Sequence, residues 1–217
     1  MDVYSAIVRF FQEGGVFMYP IVLVLALGLA IALERWLFLT TTKAMNKSMW
    51  KKVTPYLKSG NYNAAIQQTS KSKALLAQIM TYGLNRVRSA RRREDVEAAM
   101  AESLMEVMPR LEKRTHYLAT FANIATLLGL LGTIIGLINA FTAVSNANPA
   151  EKADLLSASI SVAMNTTAFG LMVAIPLLLV HTLLQTKTTE IVDSLEMASV
   201  KFLNSVTEKS PAEQPAA

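Results

Sequence analysis

Thr133, Thr166 and Thr167 place hydroxyl groups inside sequence that otherwise suits lipid: stretches 115–150 and 155–186 contain no Asp, Glu, Lys or Arg. A hydroxyl there can bond back to its own helix, join a neighbouring helix, or present an oxygen to an ion or a file of water. Such oxygens can replace water around sodium, and they can equally order water beside a proton-carrying carboxylate. They do not carry the proton themselves. A proton path needs a titratable group near mid-membrane, and neither stretch holds an acid, so the carboxylate must come from elsewhere. His181, toward one end of the second stretch, reads as a packing or interface residue rather than a relay, because no carboxylate accompanies it.

The residues around these hydroxyls are small. Thr126, Gly129, Thr133, Gly136 and Ala140 recur at steps of three and four and so share one helical face, and Gly132 with Gly136 forms a GxxxG. In the second stretch Ala163, Thr167, Gly170 and Ala174 repeat that stripe. We read Gly129, Gly132, Gly136 and Gly170 as helix-packing positions, while Thr133 could bond to its own helix or face a pathway. Ser161 and Asn165, with Ser157, occupy a different face, as a polar pathway or a partner contact. Thr166 and Thr167 sit about 100° apart around the axis and can serve two neighbours. Pro176 frees the carbonyl of Met172, giving a further acceptor or a kink.

Other chemistries are not visible. The chain has no cysteine, so disulfides and thiolate metal sites are excluded, and His116 and His181 form no recognisable ligand set. Neither a Ser/His/Asp arrangement nor a phosphate loop is present. We therefore expect no enzyme activity, no catalytic residue, no cofactor and no bound metal.

These residues need spanning helices to position them. Residues 16–33 form a third uncharged stretch, at roughly the 18 residues that suffice for a spanning candidate, and it gives way to Glu34, Arg35, Trp36 and Phe38. Its front lacks a basic cluster, so cleavage as a signal peptide is not expected. The last stretch would reach roughly 48 Å against about 30 Å of hydrocarbon and must project beyond it. The expected layout is an extracytoplasmic amphipathic segment 1–15, transmembrane helices over 16–39, 115–144 and 155–186, a helical cytoplasmic domain 40–114, a periplasmic turn 145–154, and a cytoplasmic helix and disordered tail 187–217. The fold class is an all-α membrane protein with two of its three spans extended into the helical domain, assembled as a ring oligomer.

Charge sets the orientation. The net charge is +5, and most of it lies between the first two spans: Lys43, Lys47, Lys51 and Lys52 follow the first, and Arg110, Lys113 and Arg114 precede the second. Basic residues near span ends favour the cytoplasmic side. Arg86, Arg88, Arg91, Arg92 and Arg93 fit a loop facing anionic lipid headgroups, and no aromatic interleaving points to nucleic acid.

Within the cytoplasmic region, residues 61–66 read as a turn followed by a helix, and Ala74, Leu75, Gln78, Ile79 and Tyr82 share one face. Val96, Met100, Leu104, Val107 and Leu111 mark a long amphipathic helix running into the second span, with a kink possible at Pro109. Ile191, Leu195, Ala198 and Phe202 mark a similar extension of the third. These faces could pack on one another, serve self-association, or do both.

Three segments resemble the MotA/TolQ/ExbB family, in order and across nearly the whole chain: residues 14–21 leading to Glu34-Arg35, residues 129–136, and residues 166–170 leading to Pro176. Three spans make the chain more similar to the ExbB and TolQ branch than to four-span MotA. The resemblance implies an inner-membrane stator subunit, a pentamer around two transmembrane helices of an ExbD-, TolR- or MotB-like partner that supplies an Asp. It implies a TonB- or TolA-like protein as recipient of the work, and proton or sodium as the transported ion. It also implies pore-facing roles for Thr133 and Thr167. One departure stands out: Val162 occupies a position where many ExbB and TolQ chains carry glutamate. The alternative from the residues is a structural membrane scaffold, which explains the small-residue packing and leaves Asn165, Thr166 and Thr167 without a task.

Overall fold

The computed structural model describes residues 10–11, 14–87, 89–90, 92–145 and 147–207. Among them lie six bounded helices and no strand: α1 (Met18–Ser59), α2 (Tyr62–Ser70), α3 (Leu75–Val87), α4 (Arg93–Glu112), α5 (Thr115–Ser145) and α6 (Lys152–Thr207). Most of the expected N-terminal segment, the tail from residue 208, and Arg88 and Arg91 of the basic cluster lie outside the described residues. The chain divides into two compact units, Met1–Arg35 with Arg114–Leu183, and Trp36–Lys113 with Leu184–Ala217.

The first unit contains the apolar stretches of α1, α5 and α6, each long and apolar enough to cross a membrane. Only 28, 22 and 33 % of those stretches is buried by the rest of the chain, so their leucines and isoleucines must meet lipid or other subunits. The faces turned inward are different in kind. Small side chains dominate the contact of α5 with α6: Ala122, Ala125, Gly129 and Gly132 on one helix, Ala163, Gly170 and Ala174 on the other, all buried. Backbones approach closely only where side chains are short, and the close approach in turn supplies the dispersion contacts that lipid cannot better.

The second unit packs the remainder of α1 and α6 with α2, α3 and α4 around Leu39, Met49, Leu84, Met100, Leu111 and Phe202. Gly83 is part of this core. A side chain there would come within 2.8 Å of Met100 and 3.0 Å of Phe202. Asn61 caps α2, its Oδ1 accepting from the Ala64 N–H at 3.1 Å, which satisfies one orphan donor of the first turn. Asn46 on α1 does the same for α3 from a distance in sequence, accepting from the Leu76 N–H at 3.1 Å. Lys187 ties α6 to α1: its ammonium donates to Thr40 Oγ1 at 2.6 Å and lies 4.0 Å from the Trp36 ring centroid. Lys43 pairs with Glu190 at 2.6 Å, and that hydrogen bond with its charge holds the exposed Glu190 carboxyl below the usual glutamate range.

Four expectations need correction. The helix of the first span does not stop near its charged boundary but runs on to Ser59, through Pro55. Its continuation buries Leu39, Thr42, Asn46, Met49, Val53 and Leu57, a stripe at steps of three and four. The second span, conversely, is not one helix with its amphipathic approach. Pro109 has no N–H for the carbonyl one turn back, the Lys113 N–H closes a last turn on the Pro109 carbonyl at 3.0 Å, and Arg114 turns left-handed at φ 66°. That conformation costs roughly 1–2 kcal/mol for a non-glycine residue. The guanidinium of Arg114 donates to Glu34 at 2.8 Å, an ion pair that fixes the turn beside α1. Finally, Tyr82 is exposed rather than on the buried face of α3, and Ser103 rather than Leu104 is buried in the α4 stripe.

Candidate functional site

The hydroxyl cluster forms where α5 and α6 come closest. A Cβ on Gly129 would lie 3.2 Å from Thr167 Cα and 3.3 Å from Gly170 Cα. On Gly136 it would lie 2.7 Å from the Ala163 methyl, and on Gly132 it would collide with Thr166 Cγ2. Gly170 is the tightest against backbone: a Cβ there would lie 2.7 Å from the Ala125 carbonyl oxygen and 3.1 Å from Gly129 Cα. The four glycines thus set the separation at which threonines on facing helices can touch.

They do touch. Thr133 Oγ1 and Thr167 Oγ1 are 2.9 Å apart, Thr167 Oγ1 is 2.8 Å from the Gly129 carbonyl oxygen, and Thr133 Oγ1 is 2.8 Å from that of Leu130. Two hydroxyl oxygens at that distance must share a proton, so one donates to the other. If Thr133 donates to Thr167, the latter donates onward to Gly129, and both lone pairs of Thr133 Oγ1 stay open. In the reverse order Thr133 donates to Leu130. Both threonines are half-buried at this helix seam. The arrangement is a small set of oxygens without a titratable group, suited to coordinating a cation or holding water.

Thr166 behaves differently from its neighbour. It is buried, and its Oγ1 lies 2.5 Å from the Gly14 carbonyl oxygen and 3.0 Å from that of Val162, so its one proton serves the peptide preceding α1 or its own helix. Phe11 stacks edge-on against Phe169 at 5.1 Å, holding the same segment. Gly15, at φ 75°, turns the chain into α1, and a Cβ there would stand 3.2 Å from Val162 Cγ1. Thr166 therefore sits against the N-terminal segment, and Thr167 against α5. Gly14 is a participant that the sequence alone does not single out, although the Gly14-Gly15 pair is a signal of a tight turn.

Ser161 is exposed and Asn165 half-buried, and neither joins these hydrogen bonds, so they face away from the seam. The helix α6 runs unbroken through Pro176, whose side is exposed. Among the described residues no three His, Cys, Asp or Glu side chains gather as a metal site.

Fold and site together define a multi-pass helical membrane protein with a hydroxyl-lined seam between two spanning helices. A family model described as the MotA/TolQ/ExbB proton channel family matches residues 71–197, and the chain belongs to that family. It is 27 % identical over 199 residues to a protein named as a biopolymer transport ExbB homolog in Methanothermobacter thermautotrophicus, covering 91 % of this chain and 69 % of the relative. A similar likeness, 29 % over 182 residues, joins it to an ExbB-like protein of Synechocystis, covering 80 % of this chain and 68 % of that one. The Tol-Pal system protein TolQ of Haemophilus influenzae is 31 % identical over 109 residues, covering 50 % of this chain and 46 % of TolQ.

Proposed function

We propose that this chain is the ring-forming subunit of an ion-driven stator of the ExbB/TolQ branch in the bacterial inner membrane. Five copies enclose two transmembrane helices of an ExbD-, TolR- or MotB-like partner, whose Asp carries the charge that α5 and α6 lack. Ion passage, of protons or of sodium, drives movement that a TonB- or TolA-like protein passes to the envelope. Residues 40–114 and 187–217 face the cytoplasm, where the basic residues lie, and 145–154 face the periplasm.

The observation that supports this reading best is the Thr133–Thr167 contact of 2.9 Å, made in spans with no acidic or basic side chain between residues 117 and 150 or 155 and 180. Packing alone would be served as well by valine. A hydroxyl pair with open lone pairs is useful beside a mobile ion or a carboxylate that changes charge. The names of the relatives, biopolymer transport and Tol-Pal, agree with envelope work as the output.

The test is ion flux into vesicles containing the purified chain, with and without its co-purified single-span partner. The proposal requires flux that appears only when both are present. A complex that assembles and passes neither protons nor sodium would make this a scaffold.

A further inference from the structure

The second unit carries two surfaces of opposite character. The first is a groove of about 300 Å³ between α1 and α6, floored by Trp50, Leu76, Leu195 and Ala198. Its rim bears Lys43, Lys47 and Lys201. Lys43 is engaged with Glu190, while Lys47 and Lys201 enter no ion pair among the described residues. Asn46 lines the same groove, and its Nδ2 is buried without a hydrogen-bond partner. Met197, which also lines it, is 58 % exposed and leaves apolar surface open there.

The second surface is the outward face of α4. Val96, Met100, Val107 and Leu111 bury the opposite side, so the face centred on Ala98, Ala101 and Met105 points away from the core. Met105 is 71 % exposed. Glu97, Glu102 and Glu106 flank it, which unsuits the face for hydrocarbon. Among the described residues only Glu106 of these three has a charge partner, Arg110 at a loose 3.9 Å.

We propose that the α4 face of one copy docks in the lysine-rimmed groove of the next. Met105 fills the apolar cavity, and Glu102 and Glu106 meet Lys47 and Lys43. The spacing agrees, since both pairs are separated by one helical turn, about 6 Å along the axis. An acidic face and a basic groove cannot pair like with like. In a ring the contact runs head-to-tail, the α4 face of each copy in the groove of the next. It rests on the ring assembly proposed above and adds the surfaces that build it.

The natural absence of cysteine makes the test clean. Full-length chains carrying Met105→Cys and differently tagged chains carrying Met197→Cys are co-expressed in membranes and oxidised. A disulfide needs Cα atoms within about 7 Å, so the mixed dimer should form several-fold more than with Tyr82→Cys in place of Met197→Cys. Glu102→Lys should abolish that cross-link, and Glu102→Lys combined with Lys47→Glu should restore it. If native mass spectrometry shows an intact ring and the cross-link does not exceed the control, this contact is wrong while the ring stands. A monomer would overturn both. Cross-linking of Met105→Cys to a different membrane protein would assign the α4 face to that partner and likewise overturn the proposal.

Discussion

Replacing Gly170 by alanine pushes α5 and α6 apart where the threonine hydroxyls meet. The new methyl carbon would lie 2.7 Å from the Ala125 carbonyl oxygen and 3.1 Å from Gly129 Cα, both backbone atoms that cannot swing aside. Ordinary carbon contacts begin near 3.5 Å, so the helices must separate locally by roughly 0.5–1 Å. Overpacking of this kind costs about 1–3 kcal/mol. The same displacement stretches the Thr167 Oγ1 to Gly129 O bond from 2.8 Å out of hydrogen-bonding range. Interhelical hydrogen bonds in membranes contribute about 0.6 kcal/mol, which brings the expected loss to roughly 1.6–3.6 kcal/mol. Gly28→Ala is the control, because its methyl would meet Leu177 Cδ2 at 2.7 Å, the far end of a flexible side chain. That variant should lose clearly less than Gly170→Ala, because a side-chain end rather than backbone must shift. Unfolding of both proteins in mixed micelles, followed by circular dichroism as denaturing detergent is added, measures the difference. A Gly170→Ala protein as stable as Gly28→Ala would refute the close-contact argument.

Three further outcomes are expected. Cysteines introduced at Ser70 and Asn148 should label from opposite sides, with an impermeant thiol reagent reaching Asn148→Cys in cells with a permeabilised outer envelope and sparing Ser70→Cys; the reverse pattern would invert the topology. Asn46→Ala removes the acceptor for the Leu76 N–H and should cost about 1 kcal/mol, read as a lower detergent midpoint, whereas an unchanged midpoint would mean that water caps α3 equally well. The Lys43 contact lowers the Glu190 carboxyl pKa, so its stabilising effect is present above the unfolded value of about 4.3 and is lost as pH falls through the lower folded value. Thermal midpoints of wild type and Glu190→Gln should therefore differ at neutral pH and converge in acid, and a gap that persists in acid would assign the effect to something other than this charge.

The legible parts of this protein are those whose pattern is made by side chains alone. Ile191, Leu195, Ala198 and Phe202 recur at helical spacing and are all buried, and the small stripes of residues 129–136 and 163–174 are the two sides of the α5–α6 seam. The inner half of α1 is harder to read because its buried stripe passes through Thr42 and Asn46, polar residues that break the apolar period. Asn46 is tolerated there because its side chain caps α3, a long-range bond no local pattern reveals. The turn at Arg114 is hidden for a related reason: Pro109 signals a disturbance, but the left-handed residue comes after it and is held by Glu34 from another helix. In the site, the Thr133–Thr167 contact follows from two stripes facing each other. The Gly14 carbonyl beneath Thr166 does not, since a backbone oxygen carries no sequence signature.

The central claim is that the hydroxyls of Thr133 and Thr167 serve an ion rather than the packing of α5 on α6. Valine keeps the shape of threonine and deletes the oxygen. The decisive measurement is flux through the reconstituted complex with its partner, in opposed sodium and pH gradients, for wild type and the Thr133→Val, Thr167→Val double variant. We expect the variant to assemble with its partner in wild-type proportion and to lose ion-coupled flux, with the gradient that drives wild-type flux naming the ion. Wild-type flux through the double variant would show that the hydroxyls only pack, and would contradict the account.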